Sequence, residues 1–158
     1  EAETAIHPLR STLDGSQASI SVSCSGATTS IRADRQSFRQ VILNLASNAI
    51  EHGGDEVHVE VRLEGNPNSE FVRISIIDDG PGMDEDLVRA IGQPFPQART
   101  PYHATTQTEN GAGLGLYIVN RLIALNGGRF DLESTPGQGT TVVTFWPQAV
   151  YTISENRA

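Results

Sequence analysis

Between residues 34 and 52 the hydrophobic residues recur every three or four positions, the spacing that places side chains on one face of a helix. Asp34 can cap the first turn, and Gly53-Gly54 can end the last one. The pattern therefore predicts an amphipathic helix whose buried face carries Phe38, Val41, Ile42, Leu45 and Ala49.

After this helix the pattern changes to alternation. Val57, Val59, Val61 and Leu63 are separated by polar or charged residues, as expected for a strand with one buried face. The remaining pattern predicts one mixed sheet covered by helices on one face, an α/β architecture. The other predicted elements are strands at 18–24, 71–78, 129–134 and 140–146 and helices at 1–13, 84–92 and 113–126.

The hydrophobic residues of the segment 96–110 (PQARTPYHATTQTEN) follow neither the helical spacing nor the alternation of a strand. A loop of this length inside a compact domain is usually functional or disordered. We therefore expect a single domain, residues 1–158, with a core at about 18–147, polar ends and one long loop that is either functional or disordered.

Composition narrows the classes of function. The chain has 158 residues, no apolar run of the roughly 18 residues that a membrane span needs, and a formal net charge of −8. This charge has the wrong sign for nucleic-acid binding, and an acidic protein that binds an anionic nucleotide needs a divalent cation.

Cys24 is the only cysteine, so no disulfide framework or zinc thiolate cluster is expected, which suits the cytoplasm. Because the chain starts at Glu1 without a methionine or a signal-like segment, we expect a fragment of a longer protein.

Two asparagines lie at the edge of the first predicted helix. At about 100° per residue, Asn44 and Asn48 share one side of the helix beside its apolar face. Their oxygens can ligate a hard cation such as Mg²⁺, and their NH2 groups can donate to phosphate oxygens. The alternative is two ordinary asparagines at the border of the core.

A carboxylate points toward the core at the end of the strand at 71–78. Asp78 is in phase with Val72, Ile74 and Ile76. Since a buried carboxylate needs donors, an adenine amine is a suitable partner. Gly80-Pro81-Gly82 then lets a planar ligand approach the backbone. The alternative, an aspartate that caps the turn, suits the neighbouring Asp79 better.

A glycine cluster, Gly111-Ala112-Gly113-Leu114-Gly115, precedes the predicted helix at 113–126. Free N–H groups at a helix start can bind phosphate. The cluster lacks GK[ST], and Leu116 breaks GxGxxG, so it matches neither familiar phosphate loop. A flexible segment that ends in helix-capping glycines is the alternative.

Four segments resemble, in order and spacing, the N, G1, F and G2 boxes of histidine kinases: NLASNAIEH at 44–52, DDGPGM at 78–83, QPF at 93–95 and GAGLGL at 111–116. GGRFDLESTPGQGTTVVTFWP resembles the closing hairpin of that family, so the resemblance runs from about Ser30 to Pro147. It implies the Bergerat fold of the gyrase, chaperone, kinase and MutL superfamily. This fold is a two-layer α/β (α+β) sandwich with a mixed, mostly antiparallel sheet, helices on one face, and a mobile ATP lid, here residues 96–110.

The resemblance also implies roles for individual residues. Asp78 would bind the adenine amine with Gly82 beside the base, and Asn44 and Asn48 would hold Mg²⁺ and the phosphates. Asn44 is the only candidate catalytic residue. Lid residue Arg99 would either reach the γ-phosphate or remain solvated. The other residues that fall at ATP-binding positions are His52, Gly80, Met83, Phe95, Gly111, Gly113, Leu114, Gly115 and Leu116.

Three positions depart from the family pattern. Glu51 and His52 stand where a basic and an aromatic residue are common, and Gln93 replaces an acidic residue before Pro-Phe. Glu51 is expected on the solvent side of the helix. His52 would either stack on adenine or pack as a histidine at the border of the core.

The resemblance implies an ATP-dependent protein-histidine kinase. The related ATPases carry a glutamate at the first N-box position, whereas Asn44 cannot accept a proton there. No histidine here resembles the phosphoacceptor, so that domain is expected upstream and the isolated chain, a monomer, should show little autophosphorylation. The parent would be a homodimer that phosphorylates a response regulator receiver domain. It would act in the cytoplasm, either free or as the cytoplasmic part of a membrane-anchored sensor. A non-catalytic nucleotide-sensing module is the first alternative, and an ATPase of the same superfamily is the second.

Overall fold

The computed structural model describes residues 7, 17–26, 30–92 and 112–149. The strands in this part of the chain are β1 (Ser19–Gly26), β2 (His58–Gly65), β3 (Phe71–Asp78), β4 (Arg129–Thr135) and β5 (Gly139–Pro147). The helices are α1 (Arg35–Gly53), α2 (Glu85–Gly92) and α3 (Ala112–Leu125).

The strands form one mixed sheet in the order β1-β2-β3-β5-β4. β1 pairs with β2 in parallel, and the remaining described pairs are antiparallel. Parallel neighbours need a crossover connection, which α1 provides between β1 and β2. The predicted mixed, mostly antiparallel sheet is therefore confirmed.

The core lies between one face of this sheet and the helices α1 and α3. Strand register places Val61, Ile76 and Val142 side by side on that face, and the polar residues of β2 alternate toward the opposite face. The predicted apolar face of α1 is buried as expected. The buried cluster consists of Phe38, Val41, Ile42, Leu45, Ala46, Ala49, Val57, Val59, Val61, Val72, Ile74, Ile76, Val119, Ile123, Val142 and Trp146.

Trp146 anchors the core at the end of β5. It is fully buried, and its ring meets Phe38 of α1 edge to face at a centroid distance of 5.2 Å. Its Nε1 donates to Thr144 Oγ1 at 3.0 Å, and Thr144 Oγ1 donates to Ile74 O at 3.0 Å. Because each buried donor has an acceptor, this polar chain crosses the apolar layer without an unsatisfied donor.

The start of α1 is fixed by its cap and by the end of α3. The Ser37 N–H donates to the Asp34 carboxylate at 2.7 Å, as predicted for a cap, and this bond lowers the pKa of Asp34. The Asp34 N–H donates to Asn126 Oδ1 at 2.7 Å, and Asn126 Nδ2 donates to Leu122 O at 2.8 Å. The Asn126 side chain thereby ties the two helices together at one end.

The observed elements agree with the predicted ones to within two residues at each end. The predicted helix at 1–13, apart from residue 7, and the predicted lid at 96–110 lie outside the described residues. In the described part of the chain, no helix has both the length and the apolar character needed to cross a membrane.

Candidate functional site

Asp78 ends β3 on the face that the helices cover. Strand pairing places it between Val59 of β2 and Thr140 of β5. Its Oδ1 accepts from the Gly80 N–H at 3.0 Å and from the Thr140 N–H at 3.2 Å. No described residue donates to Oδ2, so this oxygen can accept a hydrogen bond from a ligand.

The surroundings of Asp78 disfavour its charged form. Burial raises the pKa of its carboxyl group, the N–H groups of Gly80 and Thr140 lower it, and the charge of Asp79 raises it. The net effect is a raised pKa. A ligand that donates to Oδ2 would offset part of the cost of burying this charge.

The turn after Asp78 is packed tightly between α1 and the β4–β5 hairpin. A side-chain carbon added at Gly80 would lie 2.7 Å from Gly53 Cα, at the end of α1. Gly82 has φ 67°, and an added side-chain carbon there would overlap Thr135 O. The Gly137 N–H donates to Pro81 O at 2.7 Å. The glycines of the predicted base site are thus required by close backbone contacts.

Asn48 lies within α1 and faces the first turns of α3. A side-chain carbon added at Gly115 would be 3.2 Å from Asn48 Nδ2 and 3.4 Å from its Oδ1. Asn48 Nδ2 is buried and has no hydrogen-bond partner within the described structure. A buried amide without an acceptor is unusual, and a phosphate oxygen would supply the missing acceptor.

Asn44 lies one turn before Asn48 and is partly exposed. Its Oδ1 accepts from Gln40 Nε2 at 2.8 Å, an exposed contact that a ligand can displace. The described residues contain no group of three or more His, Cys, Asp or Glu side chains that could hold a metal ion. A cation here would therefore need the asparagine oxygens together with phosphate oxygens, which suits Mg²⁺.

The helix α3 begins at Ala112, one residue before the predicted start, so Gly113, Leu114 and Gly115 lie in its first turn. The first four N–H groups of a helix have no acceptor within it. These groups lie close to Asn48 through Gly115, which gives the two predicted phosphate elements one location. The side chain of Leu116 packs against the core, so only its backbone is available to a phosphate.

Other predicted residues have less defined surroundings. His52 and Glu51 are both exposed in the last turn of α1, Glu51 as predicted. The exposure of His52 argues against packing at the border of the core, and stacking on adenine stays a prediction. Met83 is partly buried. The predictions for Gln93, Phe95, Arg99 and Gly111 lie outside the described residues.

The sequence patterns missed the contribution of the β4–β5 hairpin. Thr140 binds Asp78, and the Met83 N–H donates to Ser134 Oγ at 2.8 Å. Gly139 has φ 83°, and a side chain there would overlap Asp78 O. One signal was available, since Thr140 is in phase with Val142 and the rest of the buried face of β5.

Comparison with known proteins identifies the family. A family model described as "Histidine kinase-, DNA gyrase B-, and HSP90-like ATPase" matches residues 33–150. The chain belongs to this family. The match includes all four predicted boxes and the closing hairpin, whereas β1 precedes it.

Named relatives place the domain with the histidine kinases. It is 42% identical over 118 residues to the sensor histidine kinase AruS of Pseudomonas aeruginosa, a match that covers 73% of this chain and 11% of AruS. The chain spans only 13% and 21% of two other relatives, from Caulobacter vibrioides and Rhizobium meliloti. It therefore corresponds to a small part of these proteins.

Solved structures agree on the fold. The catalytic domain of the histidine kinase ThkA, in a nucleotide-free form, superposes with a TM-score of 0.73 at 26% identity and covers 92% of this chain and 89% of that one. Full-length ShkA in complex with AMPPNP gives a TM-score of 0.72 at 28% identity, covering 96% of this chain and 31% of that one. The histidine kinase catalytic fold inferred from the four boxes is confirmed.

Proposed function

We propose that this domain binds Mg²⁺-ATP and donates the γ-phosphoryl group to a histidine on a separate dimerisation domain of its parent protein. The observation that carries the proposal is the buried Asn48 Nδ2, which has no hydrogen-bond partner within the described structure. This atom lies beside Gly115 at the start of α3. At the end of β3, both described hydrogen bonds of Asp78 go to Oδ1, so Oδ2 is available to a further donor. One ATP molecule would supply an acceptor to Asn48 Nδ2 through its phosphates and a donor to Asp78 Oδ2 through its adenine amine.

Different residues would bind the base and the phosphates of the nucleotide. Asp78 and the turn at 80–83 would bind the base. Asn48, Asn44 and the start of α3 would bind the phosphates, and His52 would stack on the adenine. The Asn44 and Asn48 oxygens would hold Mg²⁺, which would neutralise phosphate charge when bound. That ShkA was solved with AMPPNP, an ATP analogue, supports a nucleotide in this fold.

The phosphoryl transfer needs no general base from this domain. A neutral imidazole nitrogen carries its own lone pair and can form the bond to the γ-phosphorus, while the bond from that phosphorus to the β–γ bridging oxygen breaks and ADP leaves. Asn44 occupies the position at which a glutamate would activate water, and an amide cannot take up that proton at neutral pH. The residues described here therefore bind and orient the nucleotide.

The proposal extends to the parent protein. Its phosphohistidine would pass the phosphoryl group to a response regulator receiver domain, and the parent would act as a homodimer in the cytoplasm. The relative AruS is named a sensor histidine kinase, which supports the kinase part of this proposal.

The test is phosphorylation in trans. We expect the chain, mixed with γ-labelled ATP, Mg²⁺ and the phosphoacceptor domain of its parent, to label a histidine on that domain and to release little free phosphate without it. Replacing the acceptor histidine by alanine is the control. ATP binding without transfer would instead support the nucleotide-sensing module, which the departures at Glu51 and Gln93 favour. Rapid phosphate release without acceptor would indicate an ATPase.

ATP affinity should fall as the pH is lowered, beginning above the ordinary aspartate pKa of 3.8, because the raised pKa of Asp78 protonates its carboxyl early. The unliganded chain should respond in the opposite sense. A pKa raised by folding adds stability below the unfolded value, and this stability is lost as the pH rises through the folded value. Calorimetric titration and thermal unfolding across acidic pH measure the two effects. The control is Asp78→Asn, which should remove the contribution of the Asp78 carboxyl from the pH profiles of ATP affinity and of stability. If the parent and variant profiles superimpose, the titration of Asp78 does not cause these effects.

A further inference from the structure

The hydroxyl of Ser134 joins three segments beside the base site. Ser134 lies near the end of β4 and is partly buried. Its Oγ accepts from the Met83 N–H at 2.8 Å, donates to Gly139 O at 3.0 Å and lies 3.0 Å from Thr140 Oγ1. Because its single proton is directed at Gly139 O, the Thr140 hydroxyl is the donor in the third bond. One donor and two lone pairs are then all used.

The contacts of Ser134 connect to Asp78 in two ways, through Thr140 on the neighbouring strand and through Met83 in the turn that follows Asp78. Ser134 pairs with Thr140 across β4 and β5, and Thr140 pairs with Asp78 across β5 and β3, so the three residues lie in one row on the core-facing side. The Thr140 N–H donates to the Asp78 carboxylate at 3.2 Å. Met83 closes the turn that starts after Asp78. The hydroxyl thus holds the end of the turn and the strand that together flank the carboxylate.

We propose that Ser134 is a positioning residue for adenine recognition: its hydroxyl fixes the Met83 backbone and Thr140, and through them the Asp78 carboxylate and the turn against which the base lies. The inference rests on the proposed function. Without the hydroxyl, the Met83 N–H loses its acceptor and the Thr140 hydroxyl loses its partner. Within the described residues the Ser134 hydroxyl contacts Met83, Gly139 and Thr140 and neither Asn48 nor Gly115, so the phosphate end should be unaffected.

The test separates base recognition from stability. Ser134→Ala should lower ATP affinity by about threefold to tenfold, the loss expected for one or two neutral hydrogen bonds. GTP affinity should change less, so the ATP preference should narrow. Ser134→Thr keeps the hydroxyl and should restore both values. Titration with each nucleotide, with circular dichroism to confirm folding, measures them.

Ser69→Ala is the matched control. The Ser69 Oγ also accepts a backbone N–H, from Phe71 at 3.1 Å, and is also partly buried, but it lies in the β2–β3 turn. Ser69→Ala should lower the free energy of unfolding by a similar amount and leave the affinities for ATP and GTP unchanged. The inference is overturned if folded Ser134→Ala keeps the parent ATP affinity, if ATP and GTP weaken by the same factor, or if Ser134→Thr is as weak as Ser134→Ala. Failure of the parent chain to bind ATP would instead reject the proposed function.

Discussion

Asp78→Ala should lose the preference for ATP over GTP, which in the parent chain should be at least about tenfold. The Asp78 side chain is half-buried, and no described residue donates to its Oδ2, so an adenine amine can donate to this oxygen. Guanine presents a carbonyl oxygen at the matching position, so two acceptors would face each other. An unsatisfied buried polar group costs about 1 to 3 kcal/mol, and more if it is charged. Paired titrations with ATP and GTP measure the ratio.

The control for this substitution is Asp79→Ala. Asp79 is adjacent and exposed, and its carboxylate accepts from the His58 N–H at 2.7 Å, whereas Asp78 accepts from Gly80 and Thr140. This variant should keep the ATP preference even if it loses some stability. Asp78→Asn should weaken ATP binding, although its amide can rotate to keep one acceptor and so relax the discrimination. A parent chain that binds both nucleotides equally, or a folded Asp78→Ala that still prefers ATP, would remove Asp78 from base recognition.

Asn48→Ala should lower Mg²⁺-ATP affinity by at least about tenfold, because a hydrogen bond to a charged group contributes about 1.5 to 3 kcal/mol. The free energy of unfolding should stay the same or rise slightly. Asn48 Nδ2 is buried without a partner among the described residues, so its removal takes away a desolvated donor and no protein hydrogen bond. Calorimetry with Mg²⁺-ATP and chemical denaturation of the unliganded variant measure the two quantities.

Asn68→Ala provides the comparison for Asn48. Asn68 is an exposed asparagine in the β2–β3 turn, and its replacement should alter neither affinity nor stability appreciably. If Asn48→Ala is folded and binds Mg²⁺-ATP as tightly as the parent, Asn48 does not contact the nucleotide. A large loss of stability would show that its amide has a structural partner instead.

Local pattern was sufficient to predict α1, the strands and the inward direction of Asp78, because helix and strand periods are properties of neighbouring residues. The contacts that complete the base site are not local. Thr140 donates to Asp78 across 62 positions of sequence, and Asp34 donates to Asn126 across 92. No periodicity encodes which strands become neighbours, so the β4–β5 hairpin was predicted as an element and missed as part of the site.

The contacts at the phosphate end of the proposed site also could not be predicted from local sequence patterns. The position of Asn48 on α1 was predictable from helix geometry, whereas its approach to Gly115 depends on how α1 packs against α3. The resemblance to histidine kinases assigned each residue to ATP binding, and the structure places the two side by side. The roles of Asn44 and His52 toward a nucleotide stay predictions, since the structure shows only that both side chains are accessible.

The unsatisfied amide of Asn48 has a consequence for how the cell maintains this domain. On the proposed function, part of the free energy that holds the fold together is supplied only when nucleotide is present. By mass action, each tenfold rise in free nucleotide above its dissociation constant adds about 1.4 kcal/mol to the folded state. The free energy of unfolding of the domain would therefore rise with the free nucleotide concentration in the cell, and proteolysis of the unfolded chain would increase where that concentration falls.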